Sequence, residues 1–163
     1  MRRAVDFDHW ASFARSFKLM RELLEELATG RRGKAPASIL VLSGDVHHAY
    51  LAEVGLRTGD RQPESAIYQA VCSPYRNPLD NKERRVIRVG FSRPFTAAMR
   101  ALARAAGTDD PGLGWRLAHG PFFDNQVATI RLDGREASIK LDKTIEGEDA
   151  QRELDCVFER RLS

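Results

Sequence analysis

Apolar residues recur at Trp10, Phe13, Phe17, Met20, Leu24 and Leu27, three and four positions apart. That rhythm predicts an amphipathic helix over 10–27, with Asp8 as its N-cap and Gly30 as its stop. A basic connector, 31–37, leads into the uninterrupted apolar run Ile39–Leu42. A run of this kind predicts a strand buried on both faces, inside a parallel sheet. Alternating and apolar segments at 49–56 and 66–72 predict two more strands around a polar turn at 58–64, and Ser73-Pro74 stops the second. Two prolines make 73–79 a rigid loop, since each fixes its own φ and biases the preceding residue toward extended geometry. Alanine and leucine density predicts a helix over 94–106 ending at Gly107, and 109–114 reads as a turn-rich link. Segments 123–132 and 136–141 flank Asp133-Gly134, a strong hairpin signal. Alternation at Leu154, Cys156 and Phe158 predicts a last edge strand. The chain has no internal repeat and no low-complexity segment.

Composition narrows the picture. The chain has 163 residues, 42% of them apolar, which suits one domain or a large piece of one. Its 26 basic residues are spread among 23 acidic ones for a net charge of +3, so composition forces no cationic face and indicates no nucleic-acid partner. Short clusters such as Arg84-Arg85 read as solvated surface. Cys72 and Cys156 make no disulfide framework; Cys72 reads as a buried thiol and Cys156 as a small core residue. The absence of any CxxC pair excludes a structural zinc site built from thiolates. No apolar stretch approaches the ~20 residues that span a bilayer, so no membrane partner is expected. Arg2 and Arg3 are followed by Asp6, Asp8 and His9 before any hydrophobic region, which is not the pattern of a signal peptide. The default placement is cytoplasmic.

The chemistry concentrates after the 39–42 strand, in Ser43-Gly44-Asp45-Val46-His47-His48. Ligands in open α/β sheets sit at the carboxyl ends of strands, where Asp45 and His47 are delivered. A hard carboxylate beside a borderline imidazole suits iron, manganese or zinc, with oxygen ligands able to recruit calcium or magnesium. The plain alternative is that Asp45 caps a turn and His47 is a surface histidine. His48 reads either as an acid on the substrate side or as a support for the loop.

These residues carry a resemblance. Leu42-Ser43-Gly44-Asp45-Val46-His47-His48-Ala49-Tyr50 resembles the carboxyl-terminal metal motif of PhoD-like alkaline phosphatases, members of the calcineurin-like metallophosphoesterase superfamily. Similar blocks follow the family's order: Asp8-His9-Trp10 with its helix, 68–79 from Tyr68 to Leu79, and 123–130 from Phe123 to Ile130. The resemblance covers nearly the whole chain. It implies a partial α/β sandwich, its sheets flanked by helices, with residues 1–163 forming a single partial domain. It implies Asp45 and His47 as metal ligands, His48 as an orienting or protonating residue, and Arg76 and Asn77 in a loop near the substrate phosphate. For Asn77 and Asn125, turn capping or backbone bonding is an equal reading. The metals implied are divalent or trivalent, iron and calcium foremost, with manganese or zinc as alternatives.

The superfamily's earlier motifs are missing. The chain has no Asn-His-Asp or Asn-His-Glu, Gly59-Asp60 falls in a polar turn, and His9 and His119 sit in contexts that read as packing or turn positions. A two-metal site needs on the order of eight ligands and a bridging hydroxide, and two or three are offered here. The resemblance therefore implies the carboxyl-terminal part of a phosphoesterase, with Met1 an internal or misassigned start and little activity in isolation. The substrate of such a parent would be a phosphate mono- or diester. Two rival readings are a non-catalytic interaction module, pairing with itself or a partner chain through exposed sheet edges, and a small mononuclear metal hydrolase.

Overall fold

The computed structural model describes residues 13–44, 46–73, 79–108, 110–146 and 152–163. Asp8, His9 and Trp10 lie outside them, as do Asp45, Arg76 and Asn77. The order of elements is α1 (Ala14–Ala28), β1 (Ser38–Ser43), β2 (Ala49–Leu56), β3 (Ala66–Val71), α2 (Asn81–Gly90), α3 (Arg93–Ala105), β4 (Leu113–Phe122), β5 (Gln126–Asp133), β6 (Glu136–Glu146) and β7 (Arg152–Arg161). Among the described residues, three helices and two sheets make a mixed α/β fold.

The first sheet runs in the order β1-β3-β2-β4. β1 is parallel to β3, while β2 is antiparallel to both β3 and β4. The second sheet is an antiparallel meander, β5-β6-β7. Its first hairpin pairs Asp133 with Glu136, and Gly134 takes φ +56° in the two-residue turn between them. That positive φ is why a glycine follows Asp133.

Alternation along the strands builds three layers. Ile67 on β3 faces α1, packing with Leu24 and Ala28 and with half-buried Ile39, Val41 and Val54. Tyr68 and Ala70, the neighbours with opposite parity, face the second sheet with Leu51 and meet Ala137, Ile139 and Leu162. Leu51 and Leu162 are fully buried, each contributing about 1.5–3 kcal/mol relative to exposure. Polar groups reinforce the same contact: Glu53 on β2 accepts from Arg116 on β4 and from Arg160 on β7, joining the two sheets. No described helix is long and apolar enough to cross a membrane.

Four expectations need correction. The 39–42 run is not in the sheet interior: β1 is an edge strand, half-buried along most of its length, with Leu42 61% exposed. Its apolar residues face α1 on one side and the second sheet on the other, as a doubly covered strand would, but no described strand pairs its outer edge. Cys156 is exposed rather than in the core, because it lies on the outer strand β7, whose residues 152–156 are all open to solvent. Cys72 is half-buried at the end of β3. The turn-rich link is shorter than expected, since β4 begins at Leu113 and runs ten residues along β2.

Between the sheets, at the β1 side, lies a cavity of about 180 Å³ lined by Leu42, Tyr50, Ala70, Ile130, Ile139 and Phe158 among others. It lies below the carboxyl end of β1.

Candidate functional site

β1 ends at Ser43, and the chain must turn sharply to enter β2 at Ala49. The turn is held from the neighbouring strand's end. Ser73, two residues past β3, accepts hydrogen bonds through Oγ from the backbone N–H of Val46 at 3.1 Å and of His47 at 3.0 Å. The N–H of Cys72 donates to the carbonyl of Ser43 at 3.3 Å, continuing the ladder one step past the strands. His47 sits at φ +56°, a left-handed conformation that non-glycine residues seldom adopt. The two N–H bonds to one hydroxyl hold it there.

A third segment joins these two. Gln126, at the start of β5, is almost fully buried, and its Nε2 donates to the carbonyls of Phe122 at 3.2 Å and Ser73 at 3.4 Å. Asn125 supplies its carbonyl to Thr144 N–H at 3.0 Å, so its backbone ties the loop to β6. Asp124, at φ +96°, pairs with Arg84 of α2 at 2.9 Å. The ends of β1 and β3 and the 122–126 turn thus meet at one end of the sandwich.

His48 lies beneath this junction, 7% exposed. Its ring stacks on Tyr50 at 5.5 Å, meets Phe91 edge-on at 5.7 Å, and lies 6.1 Å from Phe123. Nδ1 lies 2.6 Å from the carbonyl of Val46. That contact makes Nδ1–H the donor and leaves the Nε2 lone pair bare; Nε2 is buried without a hydrogen-bond partner. Burial holds the His48 pKa below the ordinary histidine value, against the opposing pull of the Val46 carbonyl and with a small contribution from His47. The neutral ring therefore fixes the Val46 carbonyl and is walled off from solvent. Burial likewise pushes the Tyr50 hydroxyl above its usual range.

Cations gather over the same floor. The guanidinium of Arg88 lies 5.1 Å from the Phe123 ring and that of Arg84 lies 5.6 Å from it. A shallow pocket beside them is lined by Arg84, Arg88, Phe123, Asp124, Lys143 and Asp155 among others.

Of the residues singled out in the sequence, the structure places His47 and His48 in the β1–β2 loop, while Asp45, Arg76 and Asn77 fall outside the described residues. His119 is a packing residue on β4, its ring stacked on Phe158 at 4.3 Å. Sequence reasoning missed Ser73 and Gln126 as the bolts of the junction. A serine just past a strand and before a proline was the available signal for the first; a buried glutamine gives none. Among the described residues no three His, Cys, Asp or Glu side chains converge as a metal-binding group, so the described part of the chain does not by itself supply a metal centre. Comparison with family models, with curated proteins and with solved structures gives no match for this chain.

Proposed function

We propose that this chain is the carboxyl-terminal part of a metal-dependent phosphoesterase, acting on phosphate mono- or diesters and inactive by itself. One observation supports the reading above the others. Residues 42–50, 68–79 and 123–130, whose sequences resemble the PhoD-like pattern, are far apart in the chain, yet their described residues are bonded together through Ser73, Gln126 and the His48 cage. An Asp-x-His without such a setting is a common accident.

In this reading Asp45 and His47 donate to a metal whose remaining ligands come from outside the described residues. Such metals polarise the phosphoryl oxygen and supply hydroxide near neutral pH. Beyond those two ligands, the described residues contribute positioning. Ser73 sets the loop that carries His47, and His48 acts as a support beneath it rather than as the proton donor. Arg76 and Asn77 remain proposed substrate contacts. The half-open β1 edge favours a second reading, an interaction module without catalysis, because an unpaired strand edge is a template for another chain.

Metal stoichiometry and turnover of p-nitrophenyl phosphate and bis-p-nitrophenyl phosphate separate the readings. Residues 1–163 alone are expected to show negligible turnover. Joined to a segment that completes the ligand set, the protein should turn over, and Asp45→Ala or His47→Ala should then lower kcat by roughly three orders of magnitude or more, since a lost ligand removes both Lewis acid and nucleophile. Robust metal-dependent turnover by the chain alone would overturn the partial-domain reading. Absence of any metal affinity in the completed protein would leave the interaction module.

A further inference from the structure

Helices α2 and α3 stand apart from the rest of the molecule. Neither buries a residue. The arginine face of α2 is turned inward, with Arg84 on Asp124 and Arg88 over Phe123. Its Val86 and Val89 are consequently exposed, at 71% and 49%. On α3, Phe95, Met99 and Leu102 fall at i, i+4 and i+7, a single stripe, and all three are exposed, Leu102 at 62%. Arg93, Arg100 and Arg104 fall on the opposite side of the same helix. Five large apolar side chains open to water on two consecutive helices are not explained by the internal core.

Charge indicates what covers them. Residues 81–105 hold seven Lys or Arg and a single acid, Glu83, a net +6 in a chain whose total is +3. The remainder of the molecule is therefore net negative, and the positive charge is concentrated on this helical pair. Arg85, Arg93 and Arg100 have no ion-pair partner among the described residues. A second copy docking through the same two helices would bring like charge against like charge. An apolar stripe opposite an arginine-bearing face on a short helix of low overall hydrophobicity is the pattern of a segment that lies in the plane of a membrane interface. We infer that α2 and α3 form a docking surface for a bilayer containing anionic phospholipid, with the Phe95–Met99–Leu102 stripe entering the acyl boundary and the net positive charge of the helical pair drawing it to the anionic surface. This is adsorption, since neither helix is long enough to span. The inference stands independently of the phosphoesterase reading, although Phe91, between the helices, touches His48 and would bring the junction close to the lipid surface.

The test is co-sedimentation of the whole chain with vesicles of equimolar phosphatidylglycerol and phosphatidylcholine, against vesicles of phosphatidylcholine alone. Binding is expected only to the anionic vesicles, weakening as salt rises from about 0.1 M to about 0.5 M because the attraction is screened. The double variant R100E/R104E should lose at least about tenfold in affinity, and L102E a similar amount, because both charge and stripe contribute. These sites are exposed, so circular dichroism and Tm should match the parent; M99E replaces L102E should that variant misfold. No binding to anionic vesicles, or binding indifferent to either change, overturns the inference. Capture by polyglutamate without vesicle affinity overturns it in favour of an acidic protein partner. Self-association that L102E abolishes overturns it in favour of a second copy.

Discussion

Ser73 holds together more of the molecule than its size suggests. One hydroxyl oxygen accepts from two consecutive N–H groups in the β1–β2 loop, and its own carbonyl accepts from Gln126. Replacing it with alanine removes the one acceptor shared by two part-buried donors, and a buried group left unsatisfied costs about 1–3 kcal/mol where water cannot replace the lost oxygen. His47, at φ +56°, depends on those bonds for a conformation it would not adopt unaided. Ser73→Ala is therefore expected to lower stability by about 1–3 kcal/mol and to speed amide exchange at Val46 and His47 far more than in β6. Ser73→Thr keeps the oxygen and should preserve most of the protection. Uniform exchange in Ser73→Ala would mean that the loop is held by other contacts. The His48 ring is the complementary device: it braces the Val46 carbonyl from below while Ser73 takes the N–H groups from above.

At the scale of elements, some segments were legible and others were not, for definable reasons. β2 and β3 follow from alternation and their stops, and α3 ends at Ala105 against an expected end at 106, before Gly107 at φ +70°. β4 begins inside the 109–114 stretch that reads as a turn-rich link, and Gly114, Gly120 and Pro121 weaken its strand pattern. Gly120 is in the strand because a Cβ there would lie 2.8 Å from the Ala49 carbonyl oxygen, so the close approach of β2 and β4 excludes a side chain. α2 was missed because Val-Ile-Arg-Val is a poor helical signature, and its start signal lay in the polar residues before it. Asp80 Oδ1 accepts from the N–H of Lys82 and of Glu83, each at 2.8 Å, while Glu83 Oε2 accepts from Asp80 N–H at 2.9 Å. This reciprocal capping box was readable as Asp-x-x-Glu. Because α2 buries nothing, the cap is a large share of what fixes its first turn. Asp80→Ala should cost about 1 kcal/mol locally, seen as lost far-ultraviolet helicity and faster exchange over 82–86 with little change in the Tm of the sheets. A cooperative fall in Tm would show that the helix is more firmly tied to the body than its exposure indicates. The site was legible as a set of residue blocks but not as a geometry. Nothing in the spacing of residues 46, 73 and 126 announces that one serine and one glutamine join them.

For the molecule as a whole, the misread strand is the most instructive. Ile39–Leu42 has the composition of a strand covered on both faces, and both faces are in fact directed at apolar layers. What the composition could not reveal is that β1 has one neighbour rather than two among the described strands. Natural edge strands carry charges, prolines or bulges that discourage pairing, and this run has none. Leu42, 61% exposed at the mouth of the inter-sheet cavity, leaves a large apolar side chain open on this edge. An edge of this kind should pair. The chain is expected to associate as its concentration rises, through strand addition at β1, and sedimentation equilibrium should report the average mass climbing above that of the monomer. Leu42→Lys places a charge on the edge at a position already open to solvent, so its cost to folding should be within about 0.5 kcal/mol while association weakens severalfold. Leu132→Lys, on the other sheet's edge, should have the smaller effect, because an antiparallel meander ending in polar Arg131 and Asp133 is already discouraged from pairing. A monomer that persists at every concentration in the parent would show that the β1 edge is protected despite its composition, and would remove the support that this edge lends to the interaction-module reading.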